Sequence, residues 1–152
     1  MKKLAFWGLL CLVSVIVIGV NHYNISRDIE GWKNRAQVSS EPNDMVLYLE
    51  NVQRGMESRG MVTGHAALIF PTPDNNMSLI YHTVQQLVEQ AKILTTMDKR
   101  SPEYQTGLDN LRGSIRELNL FSKDYWSVHQ GIFWWLACIL SLVVIVYIIF
   151  CF

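Results

Sequence analysis

No sign of charge dominates this sequence. Thirteen lysines and arginines are matched by 13 aspartates and glutamates, for a formal net charge of zero over 152 residues. A nucleic-acid binder concentrates basic side chains in a stripe or patch, so that class is set aside. Cysteine is scarce: Cys11, Cys138 and Cys151 all lie in apolar runs near the two ends, and positions 21 to 131 have none. A disulfide framework is therefore excluded from the middle of the chain. Thiols in such runs read as small hydrophobes rather than as redox or metal groups. Proline is scarce too, and Pro42, Pro71, Pro73 and Pro102 all fall between periodic segments, where they do not break helices.

Catalytic patterns are also missing. No phosphate-loop spacing G-x-x-x-x-G-K-[S/T] occurs, and the glycines of "GMESRGMVTGHAA" are spaced differently. No Ser-His-acid or Cys-His set suggests an activated nucleophile. The expectation is a non-enzymatic protein without a cofactor. The histidines, His22, His65, His82 and His129, include no pair four residues apart on one helix, the spacing that makes a metal pair. His65 and His82 are the only candidates for a metal site, if the loop carrying His65 folds back on the helix that follows.

Two long apolar runs are present instead. Leu4 to Val20 reads "LAFWGLLCLVSVIVIGV" and follows Lys2 and Lys3. It ends without the small-x-small pair of a cleaved signal peptide, so it is expected to remain as an anchor. At 1.5 Å per residue its length is about 25 Å, against a hydrocarbon core of about 30 Å. Ile132 to Phe152 reads "IFWWLACILSLVVIVYIIFCF", and neither run contains Asp, Glu, Lys, Arg or His. Trp126, Trp134 and Trp135 cluster at its start, as aromatic side chains do at a bilayer interface. Two membrane spans follow, over 4–20 and 132–152, with a short start at 1–3 and an extramembrane domain at 21–131. Without ionisable groups in the spans, transport by this chain alone is not expected. Lys2 and Lys3 favour a cytoplasmic N-terminus, while Arg27, Lys33, Arg35 and Lys123 would hold the loop inside by bare counting. Long loops cross largely regardless of charge, so the reading is both termini in the cytoplasm of a cell (inner or plasma) membrane, with the loop outside.

Four segments of the loop repeat apolar residues at steps of three and four. They are Ile25, Ile29, Trp32, Ala36; Met45, Leu49, Val52, Met56; Met77, Ile80, Val84, Leu87, Ala91, Leu94; and Tyr104, Leu108, Leu111, Ile115, Leu118. Each marks one face of a helix. The first seam runs in phase with His22 and Ile18, which predicts one helix passing from the span into the domain. Ser101, Pro102 and Glu103 form a helix start, and "TMDKRS" is short enough for a helical hairpin. On the helix surfaces Glu50 and Arg54 stand at i, i+4, spacing for a weak ion pair. The fold class expected is all-α, with two transmembrane helices flanking a four-helix bundle or stalk.

One segment departs from the pattern. "GMVTGHAALIFPTPDNN", positions 60 to 76, is apolar at its centre and fenced by Gly and Pro. An irregular loop of this length is uncommon unless functional. Leu68, Ile69 and Phe70 are expected to form an apolar contact surface for another subunit; packing on the protein's own helices, dipping into the membrane surface and forming a ligand pocket are the competing readings. The function that follows is an accessory or assembly subunit of a larger membrane complex, contacting the lipid bilayer and other membrane subunits or a second copy. The alternatives are a ligand-sensing domain acting through a partner and, after it, a metal- or cofactor-binding subunit of a membrane enzyme using His65 and His82. Chemoreceptor outer domains also set a helical bundle between two spans, and the chain resembles them in that layout only.

Overall fold

The computed structural model describes residues 2–151, with side chains for 4–150. Helix α1 (Lys2–Ile25) passes through a π turn (Ser26–Glu30) directly into α2 (Gly31–Val38). The first apolar run and the first strut of the domain are thus one helical path, as the phase of the seam predicts. Ile18, Ile25, Ile29 and Ala36 are buried, and Trp32 packs partly buried against them. The π turn was not expected from sequence. It closes with a bond from the Gly31 N–H to the Ser26 carbonyl, one residue wider than an α turn.

Helix α3 (Pro42–Ser58) returns antiparallel to α2, with Pro42 in its first turn. Helix α4 (Met77–Thr95) starts where the Asn76 side chain accepts from the Ser78 N–H at 3.0 Å. Helix α5 (Pro102–Glu117) starts as predicted: the Ser101 hydroxyl accepts from the Tyr104 N–H at 3.1 Å, with Pro102 behind it. Every seam residue within α3, α4 and α5 is buried. Leu118, like Trp32, is an exception among the expected positions. It lies just past the end of α5 and is only half-buried.

Helix α2 packs on α3 and α5, and α4 packs on α3 and α5, closing a cycle of neighbours. The interior divides into two clusters. The distal one joins Ala36, Met45, Leu49, Leu87, Leu94, Tyr104, Leu108, Leu111 and Ile115, among others. The other, beside α1, joins Ile25, Ile29, Val52, Met56, Met61, Met77 and Trp126 with their neighbours. Gly107 and Gly113 of α5 differ in cause. A Cβ at Gly107 would lie 2.7 Å from Leu94 Cδ2, whereas nothing stands within 4 Å of one at Gly113. Close packing explains the first glycine and not the second.

A short helix absent from the sequence reading, α6 (Ser122–His129), follows Phe121, whose φ of 45° is left-handed. It buries Tyr125 and Trp126. Trp126 was expected at a bilayer interface with Trp134 and Trp135. Instead it is 4% exposed, wedged edge-on to His22 at 5.4 Å. It also lies so close to Gly131 that a Cβ there would meet its ring at 2.5 Å. The final helix, α7 (Ile132–Cys151), runs back along α1.

The α1–α7 seam is built from small residues. Cys11 Sγ lies 3.8 Å from Cys138 Sγ, and nearer the domain His22 Nε2 lies 3.2 Å from Ser127 Oγ, an antiparallel register. Ser14 and Ser141 are fully buried, their hydroxyls donating to the Leu10 and Ala137 carbonyls at 2.9 and 2.7 Å. Small residues let helix backbones approach closely where apolar solvent gives no drive to associate. Both helices are long and apolar enough to cross a membrane, and only 11% and 6% of their apolar windows are buried. A core helix of a soluble protein would be mostly buried. In a Cys151→Ser background, a membrane-permeant oxidant should join Cys11 to Cys138 within one molecule, seen as loss of both free thiols without dimer formation. Dimers alone would contradict this register.

Candidate interaction surface at the base of the helical domain

Gly60, at φ 69°, stops α3 in the left-handed conformation that glycine adopts without strain. The chain then folds back, with the Met61 N–H on the Met56 carbonyl at 2.9 Å and the Met61 side chain fully buried. Gly64, at φ 85°, turns it again. The Ala66 N–H donates to the Asn75 carbonyl at 2.8 Å, and the Met77 N–H to the Gly64 carbonyl at 2.9 Å. These two bonds close a narrow neck. Beyond it Asn75 holds the tip from inside: its amide donates to the Phe70 carbonyl at 2.9 Å and its oxygen accepts from the Thr72 N–H at 3.0 Å.

The neck therefore separates two kinds of apolar residue. Met61 and Ala66 are core. Leu68, Ile69 and Phe70 are 66%, 72% and 77% exposed. They form a patch and do not pack on the protein's own helices, which removes the reading in which the stretch is internal.

Three hydrogen bonds from α6 and its junction with α7 fix the loop's place. Tyr125 OH donates to the Gly60 carbonyl at 2.9 Å, Gln130 Nε2 to the Arg59 carbonyl at 3.0 Å, and His129 Nε2 to the His65 carbonyl at 2.9 Å. The His129 ring lies on Tyr125, centroids 4.2 Å apart. The loop is thus fastened two to seven residues before the apolar run of α7 begins.

The histidine candidates do not converge on a metal site. The His65 backbone pairs with Asn76, while His82 is exposed on α4 beside Gln85 and Gln86. Among the described residues no group of three or more His, Cys, Asp or Glu is placed to hold a metal ion. The surface pair expected between Glu50 and Arg54 is replaced. Glu50 pairs across helices with Lys92 at 3.5 Å, and Lys92 also meets Glu89 at 3.1 Å; Arg54 turns to Asn51.

A polar cluster at the π turn escaped the sequence reading, because its members are far apart in the chain. Glu30 accepts from Lys123 at 2.8 Å, Ser26 at 3.0 Å and buried Ser122 at 3.4 Å, tying α6 to the turn. Arg59 reaches Asp28 at 2.7 Å, tying α3 to it, and Lys33 donates to the Leu118 carbonyl at 2.6 Å. Burial acts to raise the Glu30 pKa, but the hydrogen bonds of Lys123 and Ser26 outweigh it and hold it below 4.5. The neighbouring Arg27, then Arg59, hold Asp28 below 3.8 against its own partial burial. Burial pushes Lys33 down from its ordinary value.

Both carboxylates are depressed, so their contribution to stability is complete above their unfolded values and lost as pH falls through the folded ones. Thermal melting should be level near neutrality and decline below about pH 4.5, the ordinary value of Glu30. Paired replacement Asp28→Asn and Glu30→Gln should lower the neutral melting temperature and flatten that acid limb. An acid limb unchanged in the variant would contradict the assignment.

Between α4 and α5 an open groove of about 380 Å³ is lined by Gln90, Ile93, Leu94, Gly107, Asn110 and Ser114, with no charged side chain. Comparison with protein-family profiles, with curated proteins and with solved structures returned no match, so the functional reading rests on this geometry alone.

Proposed function

We propose that this chain is a non-catalytic, two-span membrane protein whose helices α2 to α5 form a four-helix bundle outside the bilayer. Its work is that of an accessory or assembly subunit in a larger membrane complex. The observation that carries this reading is the unbroken path from α1 through the π turn into α2, with α7 packed along α1 and α6 wedged beside them. The Glu30–Lys123 and Asp28–Arg59 pairs brace the joint. Such a strut holds a domain at fixed height and angle over a membrane, which suits a part that positions other subunits.

Purification in mild detergent followed by mass spectrometry of co-purifying chains tests the proposal. A stoichiometric set of larger membrane proteins is the expected result. The same strut also suits a sensor working through a partner, with the uncharged α4–α5 groove as its ligand site. A lone homodimer, without other chains, would contradict the accessory reading and favour that one.

A further inference from the structure

We propose that Leu68, Ile69 and Phe70 are seated in the lipid bilayer, as a third membrane contact beside the two spans. The inference rests on α1 and α7 crossing the membrane. It changes the occupant expected from sequence, a neighbouring subunit, because of where the structure fastens the tip. The helix register relates the levels of α1 and α7. Cys11 faces Cys138 and His22 faces Ser127, so His129 stands level with about Val20, the last residue of the first apolar run. His129 donates to the His65 carbonyl, which puts the root of the tip at that same level.

The root of the patch then stands at the level where the apolar flank of α1 ends. Leu68 follows His65 by three residues, a reach of at most about 11 Å, and Leu79 at the start of α4, 53% exposed, stands beside Pro73 and Asp74 of the same loop. An exposed apolar patch in this position meets the boundary between headgroups and acyl chains, where such side chains leave water. The charge pattern agrees. From Gly60 to Gln90 the chain has no Lys or Arg, so the contact is apolar and needs no anionic headgroup. The Asn75 hydrogen bonds satisfy polar groups of the tip's backbone internally, which lowers the cost of moving it out of water.

The test uses the full chain with Cys11→Ala, Cys138→Ala and Cys151→Ala, carrying Ile69→Cys labelled with an environment-sensitive NBD fluorophore. The protein is reconstituted alone in phosphatidylcholine vesicles. Blue-shifted emission is expected, with strong quenching by lipids spin-labelled near the headgroup and weak quenching by aqueous iodide. Added phosphatidylserine or salt should change neither. Ser40→Cys, at the far end of the domain, should show the reverse pattern. Val143→Cys, on the exposed flank of α7, reports the spans separately: if it too escapes lipid quenching, the membrane reading itself fails. Lipid quenching at Val143→Cys with iodide quenching at Ile69→Cys would overturn this inference alone. A blue shift that disappears as lipid is added in excess over protein would also overturn it, assigning the patch to a second copy. A shift seen only in a co-purified complex would assign it to another subunit.

Discussion

Replacing Leu111 with alanine should destabilise the helical domain by about 2–5 kcal/mol, the range for deleting a buried leucine from a packed core. Leu111 is 1% exposed and belongs to the distal cluster with Leu108, Ile115 and Leu49. Leu87→Ala, at a site 3% exposed on α4 in the same cluster, should fall in the same range. Gln85 and Asn110 sit on the same two helices but face solvent, and their alanine variants should stay within about 0.5 kcal/mol. Chemical denaturation followed by circular dichroism reads all four. Equal, small losses at every position would show that α4 and α5 meet partner chains rather than each other.

The second large effect is expected at Gly55, and its sign is informative. Helix propensity alone favours alanine over glycine by about 1 kcal/mol. At Gly55, however, a Cβ would lie 2.8 Å from the Asp28 carbonyl oxygen and 2.9 Å from Ile29 Cγ1. One of those atoms is backbone, held in the π turn, and cannot swing aside. Gly55→Ala should therefore destabilise by about 1–3 kcal/mol, as overpacked cores do. Gly113→Ala is the control. Nothing stands within 4 Å of its would-be Cβ, so the propensity gain of up to about 1 kcal/mol should appear there. Stabilisation at both positions would mean that α3 does not approach the π turn as described.

The helices were legible in the sequence because each buries one face, and burial at a period near 3.6 residues leaves a periodic trace. That trace located the seams of α3, α4 and α5 and carried the first one through His22 into α1. Local chemistry was legible as well: Ser101 caps α5 and Gly60 ends α3 as their residue types require. Contacts distant in sequence were not. Glu30 meets Lys123 across 93 residues and Cys11 meets Cys138 across 127, and no pattern of spacing encodes such partners.

Nor did composition separate Met61 and Ala66 from Leu68, Ile69 and Phe70. All are apolar residues of one loop. The hydrogen-bonded neck between Ala66 and Asn75 decides which of them enter the core and which project. Trp126 was misplaced for a related reason. Its neighbours in sequence suggest an interface, but α6 turns its ring inward against His22 and Gly131.

The most direct test of the two-span arrangement is accessibility at the far end of the domain. Ser40 and Asp98 are exposed there, close to the Glu41–Lys99 pair that meets at 2.6 Å. Ser40→Cys and Asp98→Cys, each in the background lacking the native thiols, should both react with a membrane-impermeant maleimide in intact cells. Protection of both until lysis would place the domain on the cytoplasmic face. Labelling of one and protection of the other would contradict a single domain standing on one side of the membrane.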